Sequence, residues 1–137
     1  MEVKNIFLAE DDEDDVVIFN EILLDIGKEI TITVAVNGFE LMILLQNTTV
    51  LPELIFLDLN MPIKNGFQCL EEIKSNEVWK DIRIIMYSTS AQPQQVEKAY
   101  KQGADLYLQK PTSYTDFKQA IENCLKTEKL KTLIGSV

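Results

Sequence analysis

Short apolar runs alternate with longer stretches in which apolar residues return every three or four positions. Ile6-Phe7-Leu8-Ala9 is apolar on both faces of an extended chain and predicts a buried strand. Val16, Phe19, Leu23 and Ile26 then share one helical face, and Gly27 supplies a C-terminal stop. Residues 30–36, ITITVAV, are β-branched and partly alternating, which predicts a less buried strand at a sheet edge. Asn37 can cap a helix running to about Asn47. Pro52 precedes Leu54-Ile55-Phe56-Leu57, a second fully apolar strand, and a loop with Pro62 and Gly66 leads to a helix carrying Phe67, Leu70 and Ile73. Ile84-Ile85-Met86-Tyr87 is the next strand; Pro93 opens the following helix and Gly103 closes it. Leu106-Tyr107-Leu108 is the last strand. Ser113 and Asp116 then form a capping-box-like pair before a helix with the stripe Phe117, Ile121, Cys124 and Leu125.

Five strands therefore alternate with five helices. Strands apolar on both faces need cover on both sides, which implies a parallel sheet between two helix layers. Right-handed crossovers make this a doubly wound α/β sandwich. In such a sheet, chemistry gathers at the carboxyl ends of the strands, near the point where strand order reverses. The first strand ends in Glu10-Asp11, the third in Asp58, the fourth in Ser88-Thr89, and the fifth is followed by Lys110-Pro111. Parallel strands bring all of these to one edge.

Composition narrows the setting. A chain of 137 residues is one ordinary domain, and 46% hydrophobic residues are enough for a packed core. No apolar run approaches the ~20 residues that span a bilayer, and the N-terminus lacks a signal-peptide pattern, so a cytoplasmic location is expected. Thirteen Lys+Arg against 22 Asp+Glu give a net charge of −9. Such a surface repels phosphate backbones and anionic membranes, so neither nucleic acid nor membrane is an expected partner. The absence of histidine removes imidazole bases and His metal ligands. Cys69 and Cys124 have no metal-ligand spacing and read as buried thiols.

The clustered carboxylates carry the chemistry. Two unit charges ~4 Å apart repel by about 4 kcal/mol at an effective dielectric of 20, so Glu10, Asp11 and Asp58 call for a cation among them. An all-oxygen donor set suits Mg²⁺, and the EDDEDD run lacks the glycine and spacing of a calcium loop. With the Lys110 ammonium and the Ser88 hydroxyl, the set suits phosphoryl transfer: Asp58 attacks in line while metal and lysine neutralise the phosphoryl oxygens. No GxxxxGK[ST] motif and no GxGxxG after a strand points to a nucleotide site. Asp12 to Asp15 read as a solvated acidic cluster favouring a helix N-terminus.

These segments resemble the receiver domains of bacterial response regulators. IFLAEDDEDD is similar to their first strand and acidic pocket, LIFLDLNMPIKNG to their phosphorylation segment, IIMYSTS to the fourth strand with its switch hydroxyl, and YLQKP to the fifth-strand motif. The resemblance spans residues 3 to about 127, and the acidic run with DLNMPIKNG is most similar to small stand-alone receivers, including those paired with phytochrome-type kinases. It implies a flavodoxin-like (βα)5 fold with strand order 2-1-3-4-5. It implies Asp58 as phosphoacceptor, and metal ligation by Asp11, Asp58 and the backbone carbonyl of Asn60, with Glu10 acting through water. Ser88 and Tyr107 would be the switch pair, Tyr107 turning inward as Ser88 reaches the phosphoryl group. Lys110 would be the conserved-type lysine, with a cis Lys110–Pro111 bond. The partner implied is a sensor histidine kinase or phosphotransfer protein, and the chain would catalyse only its own phosphorylation and dephosphorylation.

Two other functions compete. A haloacid-dehalogenase-type phosphatase also uses an aspartate nucleophile with Mg²⁺ and a lysine, but it needs a second acid two residues on, where this chain has Asn60. A binding-only pseudo-receiver would lack one member of the acid–Asp–Ser–Lys set. Beyond the domain, residues 128–137 are expected to form a helix extension or a tail. Leu130, Leu133 and Ile134 repeat at helical spacing there, and with the fourth-helix–fifth-strand face they suggest a homodimer.

Overall fold

Residues 3–126 are described in the computed structural model of this chain. In order they form β1 (Asn5–Ala9), α1 (Glu13–Ile26), β2 (Thr31–Ala35), α2 (Gly38–Asn47), β3 (Leu54–Asp58), α3 (Gly66–Lys74), β4 (Arg83–Ser88), α4 (Pro93–Lys101), β5 (Leu106–Gln109) and α5 (Tyr114–Lys126). All four strand pairings are parallel, in the order β2-β1-β3-β4-β5. The strand order reverses beside β1 and β3, so the crevice predicted from the sequence opens where Glu10, Asp11 and Asp58 stand. No described helix is long and apolar enough to cross a membrane.

The two-faced apolar strands account for two cores. Phe7, Ala9, Ile55, Leu57, Ile84 and Met86 pack with Leu41, Leu70 and Ala99 beneath α2, α3 and α4. The alternate residues Ile6, Leu8, Leu54, Phe56, Ile85 and Tyr87 pack with Phe19, Ile22, Phe117 and Ile121 of α1 and α5. Each large side chain removed from water stabilises the fold by about 1.5–3 kcal/mol, and all of β3 is buried. That fixes the strand that carries Asp58 firmly in the centre of the sheet. β2 is the half-exposed edge its sequence predicts.

Local chemistry sets the ends. The Asp12 side chain accepts from the backbone N–H groups of Asp14 and Asp15 and caps α1, and Gly27 ends it in the left-handed region at φ 79°. Asn37 caps α2 through the Glu40 N–H. On α5 the Ser113 hydroxyl accepts from the Asp116 N–H at 3.1 Å. The predicted stripe of α1 faces the core, with Phe19 and Leu23 buried and Val16 and Ile26 partly buried against it, and Ile22 joins it as a further buried residue. Helix α3 begins at Gly66, earlier than the pattern of apolar residues shows, because Asn65 and Gln68 form a capping box. A β-carbon on Gly66 would stand 2.7 Å from the Asp58 carbonyl oxygen, so the chain passes the end of β3 at a distance only glycine allows. The extension on which the homodimer expectation rests, with Leu130, Leu133 and Ile134, lies outside the described residues.

Candidate functional site

Each group at the carboxyl edge is delivered by backbone pairing. The Glu10 N–H donates to the Ala35 carbonyl, the Leu59 N–H to Tyr87, and the Lys110 N–H to Ser88 at 2.7 Å. These bonds carry the sheet register one residue past the strands and hold the loops that follow. Within this frame Glu10, Asp58 and Ser88 are buried, and Asp11 is exposed at the rim. One oxygen each of Glu10, Asp11 and Asp58 lies within 4.8 Å of the others.

Lys110 sits at the centre. Its ammonium donates to Glu10 Oε1 at 2.9 Å, Asp15 Oδ2 at 3.0 Å and Asp58 Oδ2 at 3.2 Å. The other Asp58 oxygen accepts the Asn60 N–H at 3.0 Å. Burial alone would make Lys110 easier to deprotonate, but the Glu10 hydrogen bond and the Asp58 and Asp15 carboxylates outweigh it and hold its pKa well above the ordinary value. The lysine is therefore a fixed positive charge at any physiological pH. Glu10 shows the opposite balance. Burial and the neighbouring Asp58 carboxyl raise its pKa, and the hydrogen bonds from Tyr87 and Lys110 offset this only in part.

The ammonium reaches all three carboxylates with a trans Lys110–Pro111 peptide: no cis bond occurs among the described residues. The cis bond that the resemblance implies is thus not found. Trans is the lower-energy isomer even before proline, and aiming the lysine does not require the alternative.

Tyr107 is turned inward. It is buried among residues beneath α3 and α4, and its hydroxyl donates to the Ser90 carbonyl at 2.6 Å. Burial raises the pKa of this hydroxyl, and the nearby Ser88 hydroxyl opposes the shift. Ser88 Oγ accepts from the Ser90 N–H at 3.2 Å and from Asn60 Nδ2 at 3.4 Å. Tyr107 thus occupies the inward place in this structure, with Ser88 held by Ser90 and Asn60.

Two participants were not identified from the sequence. Asp15, assigned to the solvated acidic cluster, pairs with Lys110; it lies in the first turn of α1, where side chains lean back toward the helix N-terminus and so toward the pocket. Asp12 keeps the capping role that cluster predicts. Tyr87, which looks like one more apolar strand residue, donates to Glu10 Oε1 at 2.6 Å and places its ring 4.6 Å from the Lys110 nitrogen. Both cysteines are buried, and burial pushes each thiol up to about 12, as inert core residues require.

The arrangement offers a buried carboxylate at a strand end, a fixed ammonium, and a hydroxyl on the next strand. Its three clustered acids are hard oxygen donors, the set that Mg²⁺ or Mn²⁺ prefers.

The pattern described as the response regulator receiver domain matches residues 6–122. Over 124 residues the chain is 30% identical to response regulator Rcp1 of Synechocystis sp., covering 87% of this chain and 84% of that protein. Among solved structures, the phosphorylated cyanobacterial phytochrome response regulator RcpA superimposes with a TM-score of 0.83 at 29% identity, covering 89% of this chain and 91% of that one. The Mn(2+)-bound form of Rcp1 superimposes with a TM-score of 0.82 at 29% identity, covering 90% of this chain and 96% of that one. The chain spans about half the length of other curated relatives that it matches.

Proposed function

The chain belongs to the response regulator receiver family, a signalling receiver of two-component phosphorelays, and we propose that Asp58 is its phosphoacceptor, loaded by a histidine kinase or phosphotransfer protein. The observation that carries this reading is the Asp58 carboxylate itself: it is buried at the end of β3, with one oxygen on the Asn60 N–H and the other on the Lys110 ammonium. An Asp58 oxygen forms the new P–O bond while the P–N bond of a phosphohistidine breaks and its electron pair stays on the imidazole nitrogen. Lys110 and the Ser88 hydroxyl are placed to neutralise and hold the phosphoryl oxygens.

Glu10, Asp11, Asp58 and the backbone carbonyl of Asn60 are the ligands we assign to Mg²⁺, with Glu10 acting through water. Bound there, the ion would supply charge neutralisation to the acid cluster and the phosphoryl oxygens. The same oxygen donors suit Mn²⁺, the metal in the Rcp1 structure. Ser88 and Tyr107 form the switch: Ser88 follows the phosphoryl group, and the Tyr107–Ser90 bond passes its position to the loop before α4. We assign this work to the cytoplasm.

Incubation with a phosphorylated histidine kinase and Mg²⁺ tests the reading. Phosphoryl transfer to the chain, with no turnover of a chromogenic phosphate ester, is expected. Sustained ester hydrolysis would point to the phosphatase alternative, though Asn60 stands where that chemistry needs an acid.

A further inference from the structure

An ammonium has three N–H donors, and Lys110 has already committed each of them, to Glu10, Asp15 and Asp58. The Tyr87 ring covers another side of the nitrogen, and only 11% of the lysine side chain is exposed. If Asp58 is the phosphoacceptor, as proposed above, loading frees only the donor now aimed at Asp58 for a phosphoryl oxygen; a second lysine contact to that group requires that Glu10 or Asp15 be given up.

The three carboxylates differ in what losing Lys110 would cost. Glu10 is fully buried, and removing its cation would leave an under-compensated buried charge, which is strongly destabilising. Asp58 carries the phosphoryl group and stays beside the lysine through it. Asp15 is 27% exposed, on the first turn of α1, and Lys110 is its carboxylate's hydrogen-bond partner among the described residues. Released, it can be hydrated where it stands. Its charge also repels the dianionic group that loading brings.

We propose that Asp15 is a positioning residue: it tethers Lys110 before loading and surrenders it to the phosphoryl group, so that it weakens the hold of the site on that group. The tether sets how readily the switch is thrown without touching the phosphoryl group itself.

Beryllofluoride, which coordinates a carboxylate oxygen in the tetrahedral shape of a phosphoryl group, gives a reversible test by calorimetric titration of the full chain in Mg²⁺. Asp15→Asn should bind it about two- to fivefold more tightly than wild type, the size of one partly exposed ion pair. Structural damage would weaken binding, so a gain cannot come from it. Asp14→Asn removes the same charge from the neighbouring exposed position, outside the ion pairs of Lys110, and should leave affinity unchanged. Asp15→Ser should repeat the Asp15→Asn result. Unchanged or weaker binding in both Asp15 variants, or equal tightening in Asp14→Asn, would overturn the tether while wild-type binding left the phosphoacceptor reading standing. Wild type that binds no beryllofluoride, or Asp58→Asn that binds it as well as wild type, would overturn that reading and the tether with it.

Discussion

At the scale of single residues, the site depends on side chains whose roles their neighbours assign. Tyr87 donates to a buried carboxylate, and a hydrogen bond to a charged group contributes about 1.5–3 kcal/mol. Tyr87→Phe should lose stability of that order at neutral pH in urea unfolding; an unchanged midpoint would show that the bond does not form. Ile63 holds a different kind of energy. It is a β-branched residue at φ 70°, 77% exposed, in the loop between Asp58 and α3. Left-handed backbone costs a non-glycine residue about 1–2 kcal/mol, and asparagine tolerates it better. Ile63→Asn should therefore raise stability by about 1 kcal/mol, read from the same denaturant curves, and a loss would contradict the strained backbone. Neither feature was legible in the sequence. Tyr87 completes an apolar strand and shows its hydroxyl's partner only once β3 is paired between β1 and β4; Ile63 looks like any loop residue until its φ is known. Glu10, Asp58, Ser88 and Lys110 were legible because a parallel sheet sends every strand end to one edge.

At the scale of elements, α4 is the least anchored helix. Ala99 is its one buried residue, and the Gln92 side chain makes no capping bond. It is held instead by polar and cation–π contacts. The Tyr107 N–H donates to Tyr100 Oη at 3.0 Å, Ser90 Oγ to Gln95 at 3.2 Å, and Lys98 lies 4.4 Å from the centre of the Phe67 ring. Such contacts leave a helix with low local stability. Its amides should exchange with solvent faster than those of α1 or α3. On phosphorylation, α4 and the Tyr107–Ser90 region should show the largest amide chemical-shift changes, and Ser88→Ala should accept phosphate yet lose that response. An undiminished response in Ser88→Ala would break the proposed link. The sparse apolar pattern of α4 was visible in the sequence, as were its Pro93 start and Gly103 end. The Tyr100 cover over the β5 edge was not, since it depends on the approach angle of the helix.

At the scale of the whole molecule, concentrated negative charge couples the fold to protons and metal. Because Glu10 titrates above its ordinary 4.5 in the folded chain, the folded state holds a proton there that the unfolded state has lost. Its contribution to stability therefore falls as pH rises from about that value through the raised one, and is level above it. The stability difference between wild type and Glu10→Gln should move against wild type across that window; movement in its favour would contradict a burial effect larger than the help Glu10 receives from Tyr87 and Lys110. Mg²⁺ should recover the loss at neutral pH. A ligand at 100 times its dissociation constant adds about 2.7 kcal/mol, and Asp11→Asn should gain much less. Equal gains would place the metal elsewhere. Fold class was legible at this scale because two-faced apolar strands leave few ways to bury themselves, whereas the strand order β2-β1-β3-β4-β5 was implied only by the family resemblance. The trans Lys110–Pro111 bond was not, because a family pattern does not fix an isomer.

The central claim is that Asp58 takes the phosphoryl group, and locating the modification by mass spectrometry after transfer from a phosphorylated histidine kinase in Mg²⁺ tests it most directly. Wild type should carry one acyl phosphate on Asp58, and Asp58→Asn should carry none. A phosphoryl group found on another residue of wild type, or full Mg²⁺-dependent labelling of Asp58→Asn, would contradict the claim.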